Sequence, residues 1–195
     1  RWEGYSYTAQ SVSELRAIGA PTRSLLVPIL FIYTLLELAF GVGVWISAGP
    51  KRGLRITGAF LIALGVLDLM GPLFALDLGE AVGALVNRIH IIVTAVTVLL
   101  MLLILGFGAT ANGKWFRLYS VATLVLVIVT GVWSFMEIPR IEANLPTPWL
   151  GVRERISIYS YMLWLAVLAL VLLRTPAPAP DKPPAGTASP QFQPL

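Results

Sequence analysis

Apolar residues gather in five long runs, Leu25–Ile46, Ile56–Leu76, Ile89–Gly108, Leu118–Phe135 and Ile156–Leu173, with short polar stretches between them. A helix rises about 1.5 Å per residue and the hydrocarbon core of a bilayer is about 30 Å thick, so about 20 residues cross it. The pattern therefore predicts an all-α fold, a polytopic transmembrane helical bundle with five spans in this chain. Residues 1–23 form an outer-face segment, residues 24–174 the bundle, and residues 175–195 a Pro-rich tail with almost nothing to bury, expected to be disordered.

Two stretches outside the runs carry local signals. Ser11-Val12-Ser13-Glu14 has capping-box spacing, in which the serine oxygen accepts from the Glu14 amide and the glutamate reaches back. Gly19 and Pro21 supply a stop, so a short interfacial helix is expected over Val12–Ile18. Pro139, Pro146 and Pro148 predict an extended centre for the loop Glu137–Arg155.

Composition agrees with a membrane chain: 57% of residues are hydrophobic and 12% charged, against about 25% charged in a soluble domain. Mean hydropathy is +0.81. The absence of cysteine excludes disulfides and thiolate chemistry. A basic balance, with a pI near 9.7, would suggest a nucleic-acid partner in a soluble protein. Here the charge sits in short loops and sets topology, so no nucleic acid is expected. Lys51, Arg52 and Arg55, then Lys114 and Arg117, then Arg174 and Lys182, share one side without acids until Asp181 in the tail. The other side mixes basic residues with Glu3, Glu14, Asp77, Glu80, Glu137, Glu142 and Glu154. The positive-inside rule places the first group, and the C-terminus, in the cytoplasm. Trp45, Trp115 and Tyr119 at one boundary and Trp133, Trp149 and Tyr159 at the other suit interfacial aromatic belts.

Candidate chemistry lies in polar residues within the runs. A charged group at mid-bilayer costs about 2.5–3.5 kcal/mol on insertion scales, so Glu37 and Asp68 stand out. Both fall at similar depth, with no Lys or Arg in either span to pair with them, and facing each other they can share a proton. Tyr33, Glu37 and Gly41 repeat on one face of the first run; Gly58, Gly65, Asp68 and Pro72 lie near one face of the second. His90, Thr94, Thr97 and Met101, then Thr123, Thr130 and Ser134, then Ser157, Ser160, Tyr161 and Trp164, extend the stripe. Two readings stand: helix–helix hydrogen bonding and close packing, or a cavity open to the outer leaflet that holds a headgroup, a proton or a small solute. His90 is a candidate general base with Asp77 or Glu80 to orient it, or an interfacial histidine bonded to a loop carbonyl. Arg153, Glu154 and Arg155 at the head of the last run either anchor that helix or bind a lipid phosphate. No metal-ligand spacing, nucleotide-binding loop or nucleophile elbow is present, so no cofactor and no metal are expected.

The order of several short pieces adds a resemblance. Ser13-Glu14-Leu15 precedes Gly19-Ala20-Pro21 and a span; Asp77 follows the second run and His90 opens the third; Gly151-Val152-Arg153-Glu154-Arg155-Ile156 precedes a final helix containing Trp164. In this order the chain resembles a bacterial membrane family known only as domain of unknown function 998, across most of residues 5–173. Arg16, where glycine is usual, and Leu76 before Asp77 depart from that pattern. The resemblance implies a six-helix bundle whose first helix lies before Arg1, with both termini cytoplasmic, and implies no activity.

The leading expectation is a non-enzymatic protein of the bacterial inner membrane that binds lipid or a small amphiphile, or serves as an accessory subunit or homo-oligomer. The rivals are an intramembrane hydrolase or transferase using His90, and proton-coupled transport through Glu37 and Asp68.

Overall fold

A computed structural model describes residues 2–174 except Val82 and Asn144. The expected tail over 175–195 lies outside the described residues. The order is α1 (Val12–Leu15), α2 (Arg23–Ser47), α3 (Arg52–Leu69), a 3-10 turn (Gly71–Phe74), α4 (Leu85–Gly108), α5 (Lys114–Phe135), α6 (Ile138–Glu142) and α7 (Leu150–Arg174). There is no strand among the described residues, only an isolated parallel bridge between Ile18 and Asp77.

Among the described residues, four helical stretches are long and apolar enough to cross a membrane: α2, α4, α5 with its continuation through α6, and α7. The second apolar run departs from expectation. Its helix stops at Leu69 because Gly71 and Pro72 turn the chain into the 3-10 segment. With 18 residues that include Arg52, Arg55 and Asp68, α3 falls short of that standard of length and composition. The structure thus gives four candidate spans, with α3 packed between α2 and α4. The capping box at Ser11 forms with both of its bonds, but the helix it starts ends at Leu15 rather than Ile18. Elsewhere, α4 starts at Leu85 and α7 at Leu150, ahead of the apolar runs, because polar first turns continue a helix as readily as apolar ones. The loop before α7 is extended only around Pro146, since Pro139 starts the short α6.

Small residues set the close packing. A Cβ on Gly58 would lie 2.7 Å from the Trp45 backbone nitrogen, and one on Gly41 would lie 2.9 Å from the Leu61 Cβ, so α2 and α3 meet almost backbone to backbone. Trp164 of α7 is fully buried, and a Cβ on Gly108 would lie 2.4 Å from its ring. The Trp164 indole donates to Ser120 Oγ at 2.8 Å, tying α7 to α5.

Polarity is graded along the bundle. Val44, Leu54, Leu61, Ile104, Leu105, Phe116, Val127, Trp164 and Leu168 form a dry core towards the turns Ala48–Lys51 and Ala109–Gly113. At the other end the N-terminal segment, the 3-10 turn and the head of α7 gather into a polar platform that buries Asn87, His90, Arg153 and Arg155.

Candidate functional site: charges at the platform end

Of the predicted stripe, Thr123, Thr130 and Ser134 are satisfied by their own helix, as are Thr34, Thr57 and Ser120 outside it. Each donates to the carbonyl one turn back on the same helix. These hydroxyls are polar residues made compatible with a helix in an apolar setting.

The charged triplet at the head of α7 is also internally occupied. Arg155 is 3% exposed and donates to the carbonyls of Tyr7, Gln10 and Gly151 and to the Tyr5 hydroxyl, with its guanidinium 4.2 Å from the Tyr7 ring centre. Glu154 accepts from the Val12 amide and the Ser13 hydroxyl. Arg153 pairs with Glu137 at 2.6 Å and stacks on Trp133. Gly151 lets the segment approach, since a Cβ there would meet the carbonyl oxygens of Gln10 and Tyr7. These side chains fasten the N-terminal segment and the α5–α7 connection to the last helix. Within that segment, burial pushes the Glu14 carboxyl up, against the opposing pull of its bonds from Ser11.

His90 is held in the same manner. Its Nδ1 is 2.8 Å from the Phe74 carbonyl oxygen and its Nε2 3.5 Å from the Thr94 hydroxyl. Asn87, one turn earlier, bonds both backbone groups of Asp77 and the carbonyls of Glu80 and Ala81. The Asp77 carboxylate accepts from the Gly79 amide. His90, Asp77 and Glu80 thus share a loop and its helix, but none of His90's hydrogen bonds is to a carboxylate.

Tyr33, Glu37 and Asp68 come together with Tyr161, which the stripe had placed on another helix. Tyr161 donates to Glu37 Oε1 at 3.2 Å, while Glu37 Oε2 is buried with no hydrogen-bond partner among the described residues. Tyr33 and Asp68 lie within electrostatic reach of Glu37. They also line a cleft of about 290 Å³ between α2, α3, the 3-10 turn and the segment that follows α1. Arg16 and Arg23 complete its polar lining, and Val27, Pro28, Leu30, Phe31 and Leu69 form apolar walls. Phe31 and Leu69 are exposed on the bundle's flank, so the cleft opens sideways.

The polar groups of this cleft differ from those of the α7 platform. Arg16, Tyr33 and Asp68 side chains make no hydrogen bond or ion pair among the described residues. Arg16 nevertheless acts electrostatically on Asp68. Arg23 donates from Nη1 to the Arg16 carbonyl at 2.6 Å, and Thr22 Oγ1 to that of Leu15, which fixes the segment carrying Arg16 over the cleft. Arg16 and Arg23 were not among the sequence candidates. Their signal was two arginines, either side of Gly19 and Pro21 and just before a span, a pattern that also serves as a topological anchor.

A family model described as a protein of unknown function (DUF998) matches residues 1–171. No curated protein and no solved structure matches the chain.

Proposed function

The chain belongs to the DUF998 family, and from that premise we propose a non-enzymatic multi-pass protein that holds the headgroup of a membrane amphiphile in the cleft of Arg16, Arg23, Tyr33 and Asp68. One observation carries this reading: unpaired charged groups and apolar walls share a cleft that opens on the flank of the bundle. Binding pockets for whole small ligands run from about 300 Å³ upwards, so about 290 Å³ suits a headgroup whose chains lie outside along α2. The loop charges further support five spans, the platform end outside, and a cytoplasmic C-terminus in a bacterial inner membrane.

Native mass spectrometry of the protein extracted gently from its own membrane tests the proposal. A lone chain that retains a lipid supports it. A lipid-free chain locked at fixed stoichiometry to another membrane protein replaces it with the accessory-subunit reading.

A second reading, proton-coupled transport, draws on the buried, unpartnered Glu37 Oε2 beside Tyr161. It requires that Glu37→Gln abolish proton flux in proteoliposomes, and flux unchanged in that variant removes it. The hydrolase reading gains little, because the carbonyl of Phe74 rather than a carboxylate engages His90.

A further inference from the structure

The cleft holds charges of both signs that do not neutralise each other. Arg16 and Asp68 line the same space and interact electrostatically, yet form no ion pair. Flexible arginines near a carboxylate ordinarily close on it, since the fork of a guanidinium matches a carboxylate's two oxygens. Here the two are carried on separately held segments. Arg16 sits on the segment that the Arg23 and Thr22 hydrogen bonds hold, and Asp68 on the last turn of α3. A ligand that bridges them needs an anionic group for the guanidiniums and a cationic donor for the carboxylate, on one short link. A purely anionic headgroup would satisfy the guanidiniums but leave Asp68 beside its phosphate with no cationic donor of its own. A purely cationic one would face Arg16 and Arg23.

Resting on the headgroup reading above, we propose that the cleft selects a zwitterionic phospholipid, with the phosphate on Arg16 and Arg23 and the ammonium on Asp68, assisted by the Tyr33 hydroxyl. Tyr33 lines the same space, and its hydroxyl has no hydrogen-bond partner among the described residues. The occupant is a lipid rather than a soluble phosphoamine because Pro28, Phe31 and Leu69 line the open side and are exposed there. Acyl chains would cover them.

The experiment uses the full chain in vesicles of equal phosphatidylethanolamine and phosphatidylglycerol, followed by gentle extraction and native mass spectrometry. The measured quantity is the ratio of the two lipids retained, which a variant that merely folds poorly lowers in both terms alike. The wild type is expected to favour the ethanolamine lipid. Asp68→Asn should lower that ratio about fivefold, the scale of one partly exposed charge contact, while still retaining lipid. Arg16→Gln should lower retention of both. A wild type that holds lipid with no preference, or a ratio that Asp68→Asn leaves unchanged, overturns the zwitterion proposal and leaves the headgroup reading standing. A wild type that retains neither lipid overturns both. Displacement of the lipid by excess soluble phosphoethanolamine would assign the cleft to a soluble solute and overturn the choice of a lipid.

Discussion

Two charged regions lie at the same end of this bundle, and their chemistry is nearly the same. At the head of α7, the arginines are buried, the glutamates half-buried, and every guanidinium has protein acceptors. In the cleft beside α2, an arginine, a tyrosine and an aspartate line one space with no side-chain hydrogen bond or ion pair among the described residues. The difference teaches how to separate structural charge from available charge. Burying an ion costs several kcal/mol, and only good hydrogen-bond geometry offsets it, so a buried arginine with many acceptors is a fastening. A half-buried charge without a partner keeps its interactions free for something that arrives from outside.

The comparison makes different demands on the two regions. The largest effect is expected at Arg155, because Arg155→Ala strips partners from the carbonyls of Tyr7, Gln10 and Gly151 at once. Denaturant titration in detergent micelles should show a loss of about 3–5 kcal/mol, and Arg155→Lys should recover little, since an ammonium lacks the planar fork. A loss below about 1 kcal/mol would mean the platform does not fasten the N-terminal segment.

Next comes Glu137→Gln, which removes the charge opposite Arg153 and is expected to cost about 2 kcal/mol. A double-mutant cycle with Arg153→Met should show that this energy belongs to the pair, and full additivity would contradict it.

Between the two regions stands Tyr161→Phe, which deprives Glu37 of its hydrogen bond and should cost about 1 kcal/mol. No change in the melting temperature would mean that Glu37 finds another partner. The smallest effects on stability are expected in the cleft itself. Asp68→Asn and Arg16→Gln should each stay within about 0.5 kcal/mol of the wild type, because neither side chain makes a hydrogen bond or ion pair among the described residues. A large loss in either would turn the cleft into a second fastening and erase the contrast.

The sequence by itself determined a good part of this protein. Runs of apolar residues required membrane-length helices, because backbone groups in hydrocarbon can be satisfied only within a helix or a closed barrel. Short-range spacing was enough for the capping box at Ser11, since it depends on helical geometry within one segment. The helix-bound hydroxyls of α5 were visible as a stripe, but the stripe did not reveal that they bond backwards along their own helix. Only the tertiary structure decided what the charges are for. Arg155 finds its acceptors well over a hundred residues away in sequence, on Tyr7 and Gln10, while the Arg16 side chain, next to that same segment, finds none among the described residues. Linear patterns cannot distinguish those two arginines. Hydrogen bonds and desolvation depend on distances of a few ångströms, and the packing of distant segments alone sets them.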